Sequence, residues 1–373
     1  MFVLNVFLRS LYGEIMHERI IQLQKYIEDH RLYGIFLTDP SSVFYFSGFT
    51  GTSGDATIFV TKQQSYILTD HRYTLQVSKQ CPGFHKIGKS AEDLSVIYEM
   101  TASVCDCRLG FENHSVSFAL WNKMKKTLPH VFWLELNDFP QLCRSIKQPD
   151  ELNRIRRACE ISVKALRSTL PFIHAGVSEN DIAAELEYRI RKLGASGVSF
   201  ETIVASGERS AMPHGTASDR ILRSGDTVTI DFGAMYQGYA SDMTRTFFIG
   251  TPDDALIRIY QAVLHAQQAA IEQFKPGMLC CQLDAVARNC LQESGYGSNF
   301  THSLGHGVGI QVHEGLSVSS RSEEKILPGM VFSIEPGVYV EGLGGVRIED
   351  LVVATKDGLE VLTKDFEKTL AFL

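Results

Sequence analysis

Five residues of the chain have the types and the placement to hold divalent cations: Asp231, Asp242, His306, Glu335 and Glu349. Asp231 ends the apolar, β-branched run TVTIDFG. A carboxylate there is largely buried, which is costly unless it is paired or coordinates a metal. The turn-rich AMYQGY leads into SDMTRTFF, which resumes a strand pattern. A hairpin then brings Asp231 and Asp242 onto neighbouring strands. Glu335 in SIEPG and Glu349 in GGVRIEDL offer two more acids, and His306 in THSLGHGVG adds one imidazole. Four carboxylates converging in an apolar sheet repel one another unless positive charge joins them. An oxygen-rich set with one nitrogen suits hard or borderline divalent ions, Mn²⁺ ahead of Co²⁺ and Zn²⁺, more than a thiolate-type zinc site. The set exceeds what one catalytic ion takes, so two ions sharing bridging carboxylates are expected. His214, in the turn Pro213-His214-Gly215, and His302 and His313 each carry little information taken alone.

An internal repeat must position these residues. Gly176 opens GVSENDIAAELEYRIRKLG and Gly277 opens GMLCCQLDAVARNCLQESG, helices that close at Gly194 and Gly295 after equal spans of 18 residues (194 − 176 and 295 − 277). ILRSGDTVTIDFG (221–233) then matches KILPGMVFSIEPG (325–337), so that Asp231 and Glu335 each lie six residues after a glycine, Gly225 and Gly329. Two helix-then-strand units of about a hundred residues are expected to pack as pseudo-symmetric partners, each ending an equivalent strand with an acid.

The remainder of the chain bounds the rest. At 373 residues it suits two domains. Between residues 16 and about 145, amphipathic helices alternate with the short runs YGIFLT (33–38), ATIFVT (56–61) and SYILTD (65–70), an α/β pattern. The break Gln148-Pro149-Asp150 precedes the helix ELNRIRRACEISVKALRSTL. The boundary is placed there, giving domains 16–147 and 148–373. A net charge of −7 argues against a nucleic-acid partner, and no apolar run is long enough for a bilayer. The first fifteen residues lack the basic start and the small-residue cleavage site of a signal peptide, so folding is expected to begin near Met16. Eight cysteines without a CxxC pattern read as reduced thiols of a cytoplasmic protein.

The strings MPHG, TIDFGAMYQGYASDMTRTF, THSLGHGVGIQVHE, SIEPGVY and GGVRIED resemble the metal-dependent proline-peptidase family with the pita-bread α/β fold, from about Glu151 to Phe366. YFSGFTGTSGDA and LTDHRYTLQV resemble the creatinase-type N-terminal domain of Xaa-Pro aminopeptidases. The resemblance implies that Asp231 chelates one ion, that His306 and Glu335 hold the other, and that Asp242 and Glu349 bridge them around a water. It implies Glu335 as proton shuttle, and His214 and His313 as contacts to substrate and to the tetrahedral intermediate. His302 would line the proline pocket, and Arg347, with Tyr339, would orient the carboxylates. Small proline-containing peptides are the implied substrates, and a homodimer or higher oligomer the implied assembly. The FTGTSG segment ranks Xaa-Pro aminopeptidase ahead of Xaa-Pro dipeptidase. Arg321 stands where dipeptidases carry the arginine that receives the substrate carboxylate. A methionine aminopeptidase, a creatinase and a non-catalytic binding relative rank lower, because all five ligand positions and the proline-branch motifs are retained.

Overall fold

The computed structural model describes residues 17–368, 372 and 373. The expected start at Met16 lies outside the described residues. The chain divides into two compact units, one ending at Arg144 and the other beginning at Ser145.

The first unit is built on six strands: β1 (Gly34–Leu37), β2 (Ala56–Thr61), β3 (Ser65–Thr69), β4 (Phe84–Ile87), β5 (Arg108–Phe111) and β6 (Phe132–Glu135). They lie in the order β4-β3-β2-β1-β5-β6. The β1–β2 and β2–β3 pairs are antiparallel, and the others are parallel. β1 and β2 are buried along their whole length, as runs without a polar face must be. Phe36, Phe59, Leu68 and Leu109 pack there against Ile97 and Met124 from the covering helices. Asp39 caps the helix Pro40–Ser47 by accepting from the Ser42 amide at 3.0 Å.

The second unit consists of two matching halves. Its entry helix runs Pro149–Thr169, and the Gln148 amide donates to Glu151 at its start. The first half carries the helix Glu179–Lys192 and the strands β7 (Gly197–Val198), β8 (Ile203–Ser206), β9 (Thr227–Phe232), β10 (Ala234–Tyr236), β11 (Tyr239–Ala240) and β12 (Met243–Phe248). After the long helix Asp254–Gln273, the second half carries the helix Cys280–Glu293. Its strands are β13 (Gly305–His306), β14 (Ser317–Val318), β15 (Val331–Ile334), β16 (Gly337–Val340), β17 (Gly344–Arg347), β18 (Asp350–Ala354) and β19 (Leu359–Val361). The β9–β12 pair of the first half corresponds to the β15–β18 pair of the second, both antiparallel. The hairpin β10–β11 corresponds to β16–β17.

The repeat extends to single hydrogen bonds. The Gly176 amide donates to the Leu222 carbonyl, and at the equivalent place the Gly277 amide donates to Ile326. Both glycines have positive φ, 94° and 83°, which only glycine adopts without strain. Each half has its own core, around Ile182, Leu186, Ile230 and Phe247 in one and Leu283, Leu291, Phe332 and Val352 in the other. The halves meet where Thr246 Oγ1 donates to the Arg347 carbonyl at 2.8 Å and the Glu349 amide donates to the Thr244 carbonyl at 3.1 Å.

Candidate metal centre

The acids sit at this seam because the repeat ends equivalent strands there. Asp231 lies in β9 opposite Thr244, and Asp242 immediately precedes β12. Glu335 immediately follows β15, and Glu349 immediately precedes β18. Asp242 and Asp231 are therefore neighbours across the hairpin without being register partners.

Asp231, Asp242, His306, Glu335 and Glu349 all line one cavity of about 490 Å³, and His214, His302, His313 and Arg347 line it too. His306 Nε2 lies 3.2 Å from Glu335 Oε1 and 3.6 Å from Asp242 Oδ2. One ligand atom each from Asp242, His306 and Glu349 fall within 4.8 Å of one another. Phe200, Ile203 and Val312 supply an apolar wall. His313 packs against His306 with ring centroids 3.9 Å apart.

The remaining two expected residues lie elsewhere. Tyr339 stands behind Arg347, which donates to its hydroxyl at 2.8 Å, and that hydroxyl is 3.0 Å from His302 Nε2. Arg321 lines a neighbouring cavity of about 450 Å³, which shares His302 and Ser303 with the first.

The donor set fits cations. Among the described residues, Asp231 Oδ1, Asp242 Oδ1 and Glu349 Oε1 are buried oxygens without a hydrogen-bond partner, whereas the second oxygen of two of these groups is occupied. Asp231 Oδ2 accepts from Arg347 Nη2 at 2.7 Å, and Glu349 Oε2 from the Thr244 hydroxyl at 2.6 Å. One oxygen is tied down and the other left bare, as a carboxylate oriented toward an ion requires. Burial, with Glu349 and Asp231 alongside, pushes the Asp242 carboxyl well up. Burial, with Glu335 and Asp231, does the same to Glu349. Asp231 is raised by burial against the opposing pull of Arg347. Burial also acts to raise Glu335, but His306, His302 and Arg347 outweigh it and hold that carboxyl near 2. Burial lowers His302. Partial burial and the adjacent His306 lower His313. So dense a set of carboxylates is compensated only in part by Arg347 and His306, and divalent ions held there would supply the missing charge.

Three supports escaped the sequence reading. Thr244 orients Glu349. Ser333 donates to Glu335 Oε1 at 2.8 Å and accepts from the His306 amide at 3.0 Å. Lys147 donates to Glu314 at 3.0 Å, both side chains being buried, next to His313. A Cβ on Gly309 would fall 2.0 Å from Glu314 Oε1, so the loop can close over this pair only with glycine there. Thr244 and Ser333 each lie two residues from a ligand acid, a strand spacing that marks the same face.

A second group, Asp39, Glu112 and His114 in the first unit, also gathers ligand types. Its acids are already used. Glu112 accepts from the amides of Thr38 and Asp39, both at 3.0 Å, and from the Ser42 hydroxyl. Asp39 lies 3.7 Å from Arg144. These bonds fix the start of the helix Pro40–Ser47.

Residues 153–356 match metallopeptidase family M24, and residues 19–146 match the creatinase/prolidase N-terminal domain. The chain is 38% identical over 349 residues to an Xaa-Pro dipeptidase of Pyrococcus furiosus, covering 94% of this chain and 98% of that one. The structure of an Xaa-Pro dipeptidase from Bacillus anthracis superposes with a TM-score of 0.91 at 37% identity, covering 96% of this chain and all 100% of that one. An X-Pro aminopeptidase structure from Thermotoga maritima gives 0.88 at 36% identity, with 95% and 99% covered. The expected pita-bread fold with a creatinase-type N-terminal domain is the fold observed. With the family match spanning the carboxylate cradle and relatives aligned over nearly the whole chain, this protein belongs to metallopeptidase family M24.

Proposed function

We propose that the chain is an Xaa-Pro dipeptidase, hydrolysing the bond between an N-terminal residue and a C-terminal proline. The carrying observation is the trio of bare, buried carboxylate oxygens of Asp231, Asp242 and Glu349 at one cavity. The FTGTSG segment ranked the aminopeptidase first; the relatives reverse that order, since the Pyrococcus furiosus and Bacillus anthracis proteins are dipeptidases by name. The Thermotoga maritima aminopeptidase keeps the other reading as the runner-up.

In this reading Asp231, Asp242, His306, Glu335 and Glu349 would hold two divalent ions, Mn²⁺ preferred, with Asp231 serving one, His306 and Glu335 the other, and Asp242 and Glu349 shared between them. Two bound cations supply Lewis acidity, which makes a water acidic near neutral pH and polarises the peptide carbonyl. Glu335 takes the proton from the attacking water and delivers it to the proline nitrogen as the C–N bond breaks. His214 and His313, which both line the cavity, contact the substrate and the tetrahedral intermediate. His302 accepts from the Tyr339 hydroxyl at Nε2 and donates from Nδ1 to the Ser303 carbonyl at 2.8 Å, which fixes its ring as a wall for the proline. Arg321, across that wall, receives the free carboxylate. Residues 16–147 form the N-terminal domain and 148–373 the catalytic domain of a cytoplasmic homo-oligomer.

The test is the Mn²⁺-loaded protein with an Xaa-Pro dipeptide and the corresponding Xaa-Pro tripeptide. The dipeptide should be cleaved faster. Tripeptide cleavage at an equal or greater rate would make the chain an aminopeptidase, and cleavage of neither with two ions bound would remove the proline reading.

A further inference from the structure

The His214 ring stands exposed on the cavity wall, and among the described residues it makes no hydrogen bond. Its position must therefore come from the backbone that carries it, the connection between β8 and β9. One buried carboxylate ties together the two sides of the part of that connection that holds His214. Glu179 Oε1 accepts from the amide and from the hydroxyl of Ser206, both at 2.7 Å. Glu179 Oε2 accepts from the Ser218 amide at 3.1 Å, from the Ser218 hydroxyl at 2.7 Å, and from the Arg209 guanidinium. Ser206 ends β8, and Ser218 lies just beyond His214. Between them Arg209 Nη2 donates to the Thr216 carbonyl at 2.8 Å, and Arg347 Nη1 donates to the Pro213 carbonyl at 3.1 Å.

The helix that Glu179 begins does not itself call for this carboxylate. Ser178 already caps it, accepting from the Asp181 amide at 3.0 Å. In the second half the equivalent position, three residues after Gly277 as Glu179 is three after Gly176, is Cys280. The helix Cys280–Glu293 forms without an acid there.

We infer that Glu179 is a positioning residue for His214, clamping both ends of the 207–217 segment so that the imidazole is held at the metal cavity. The inference rests on the peptidase reading of the site. A carboxylate suits the place because only an all-acceptor group can meet five donors at once. Glutamine keeps the shape but turns an NH₂ toward the Ser218 amide and Arg209, so one end of the segment is released.

The test is Glu179→Gln, alone and with His214→Ala, on the Mn²⁺-loaded protein and an Xaa-Pro dipeptide. Glu179→Gln should lower kcat by roughly 10- to 100-fold with a smaller change in KM, the size expected of a misplaced catalytic group. In the His214→Ala background the same substitution should cost almost nothing further, because both act through one imidazole. An equal loss in both backgrounds would overturn the inference and leave Glu179 a purely structural residue. Amide exchange supplies a readout that needs no turnover. Exchange in segment 207–217 should accelerate in Glu179→Gln, with protection of β9 and β12 and metal content unchanged. If the unmodified protein cleaves no Xaa-Pro peptide, the peptidase reading falls, and unchanged exchange in that segment would separately refute the clamp. Should Glu179→Gln fail to fold, Ser218→Ala removes one donor only. It should show the same non-additivity with His214→Ala at smaller size, and additive losses would overturn the inference.

Discussion

Arg347 reaches from the second half of the repeat to Asp231 of the first, its Nη2 donating to Asp231 Oδ2 at 2.7 Å. The same guanidinium serves the Tyr339 hydroxyl and the Pro213 carbonyl. Among the described residues it is the one arginine or lysine hydrogen-bonded to these carboxylates; its Nε also donates to Thr244 Oγ1 at 3.2 Å, and the four acceptors match its planar fork. Arg347→Lys should therefore behave almost as badly as Arg347→Ala, each lowering metal affinity or kcat/KM by about 10- to 100-fold. Metal titration beside steady-state kinetics checks this, and near-normal values for the lysine variant would show that charge alone suffices.

Asp242→Asn and Glu349→Gln should each remove activity and take metal content from two ions per chain to one or none. Both acids leave a bare oxygen at the cavity, and a bridging carboxylate serves both ions. Elemental analysis after metal loading is the measurement; two retained ions with full turnover in either variant would exclude the bridging assignment.

The buried acids set a pH dependence whose sign follows from their shifts. Asp242, Glu349 and Asp231 have carboxyls raised above their ordinary range by burial. Without metal, the folded protein binds more protons than the unfolded chain as the pH rises from about 4 through those raised values, so stability falls with rising pH. Glu335, held near 2, runs the other way: its contribution is present above its ordinary value and is lost only as the pH falls toward 2. Bound cations remove the first penalty. The difference in Tm between metal-loaded and chelated protein should accordingly widen from pH 5 to pH 8. A constant difference across that range would contradict the account.

Arg321 lines the cavity beyond His302 and Ser303. Arg321→Ala should slow dipeptide hydrolysis about 10-fold or more through KM, since it removes the partner of a free carboxylate. Cleavage of an Xaa-Pro tripeptide should change little. Equal effects on the two substrates would place the carboxylate elsewhere.

The Lys147–Glu314 pair, with side chains 2% and 4% exposed, should be costly to break from one side. Lys147→Met or Glu314→Gln alone should destabilise by about 3–5 kcal/mol, the cost of breaking a buried ion pair from one side. Lys147→Met with Glu314→Gln should lose less than the sum of the two. Urea unfolding of the three variants decides it, and strict additivity would mean that the residues stabilise independently.

What the sequence made legible was periodic or repeated. The runs around Ile35, Phe59 and Ile67 read as strands because they are short, rich in β-branched and aromatic residues, and bounded by Gly, Ser and Asp. The equal spacing of Gly225 from Asp231 and of Gly329 from Glu335 marks equivalent strand ends. Thr244 and Ser333 were within reach of the same reasoning, since alternation puts each on the face of its neighbouring acid. Glu179 and Lys147 were not. Their partners lie far off in the chain, Ser218 for one and Glu314 for the other, and no local pattern encodes a contact across a fold. Tyr339 and Arg321 were legible only through motif position: Tyr339 hydrogen-bonds Arg347, and Arg321 lines the cavity beyond His302.

The seam between the halves has a consequence for how the protein comes into being. The first half contributes Asp231 and Asp242, the second His306, Glu335 and Glu349, and Thr244 of the first must reach Glu349 of the second to orient it. Neither half encloses a complete cradle. Until the second half has been made, the nascent product lacks His306, Glu335 and Glu349, three of the five proposed ligands. In the proposed reading, hydrolytic competence therefore arrives only after the second half docks, and a partly made chain lacks the means to attack the peptides around it.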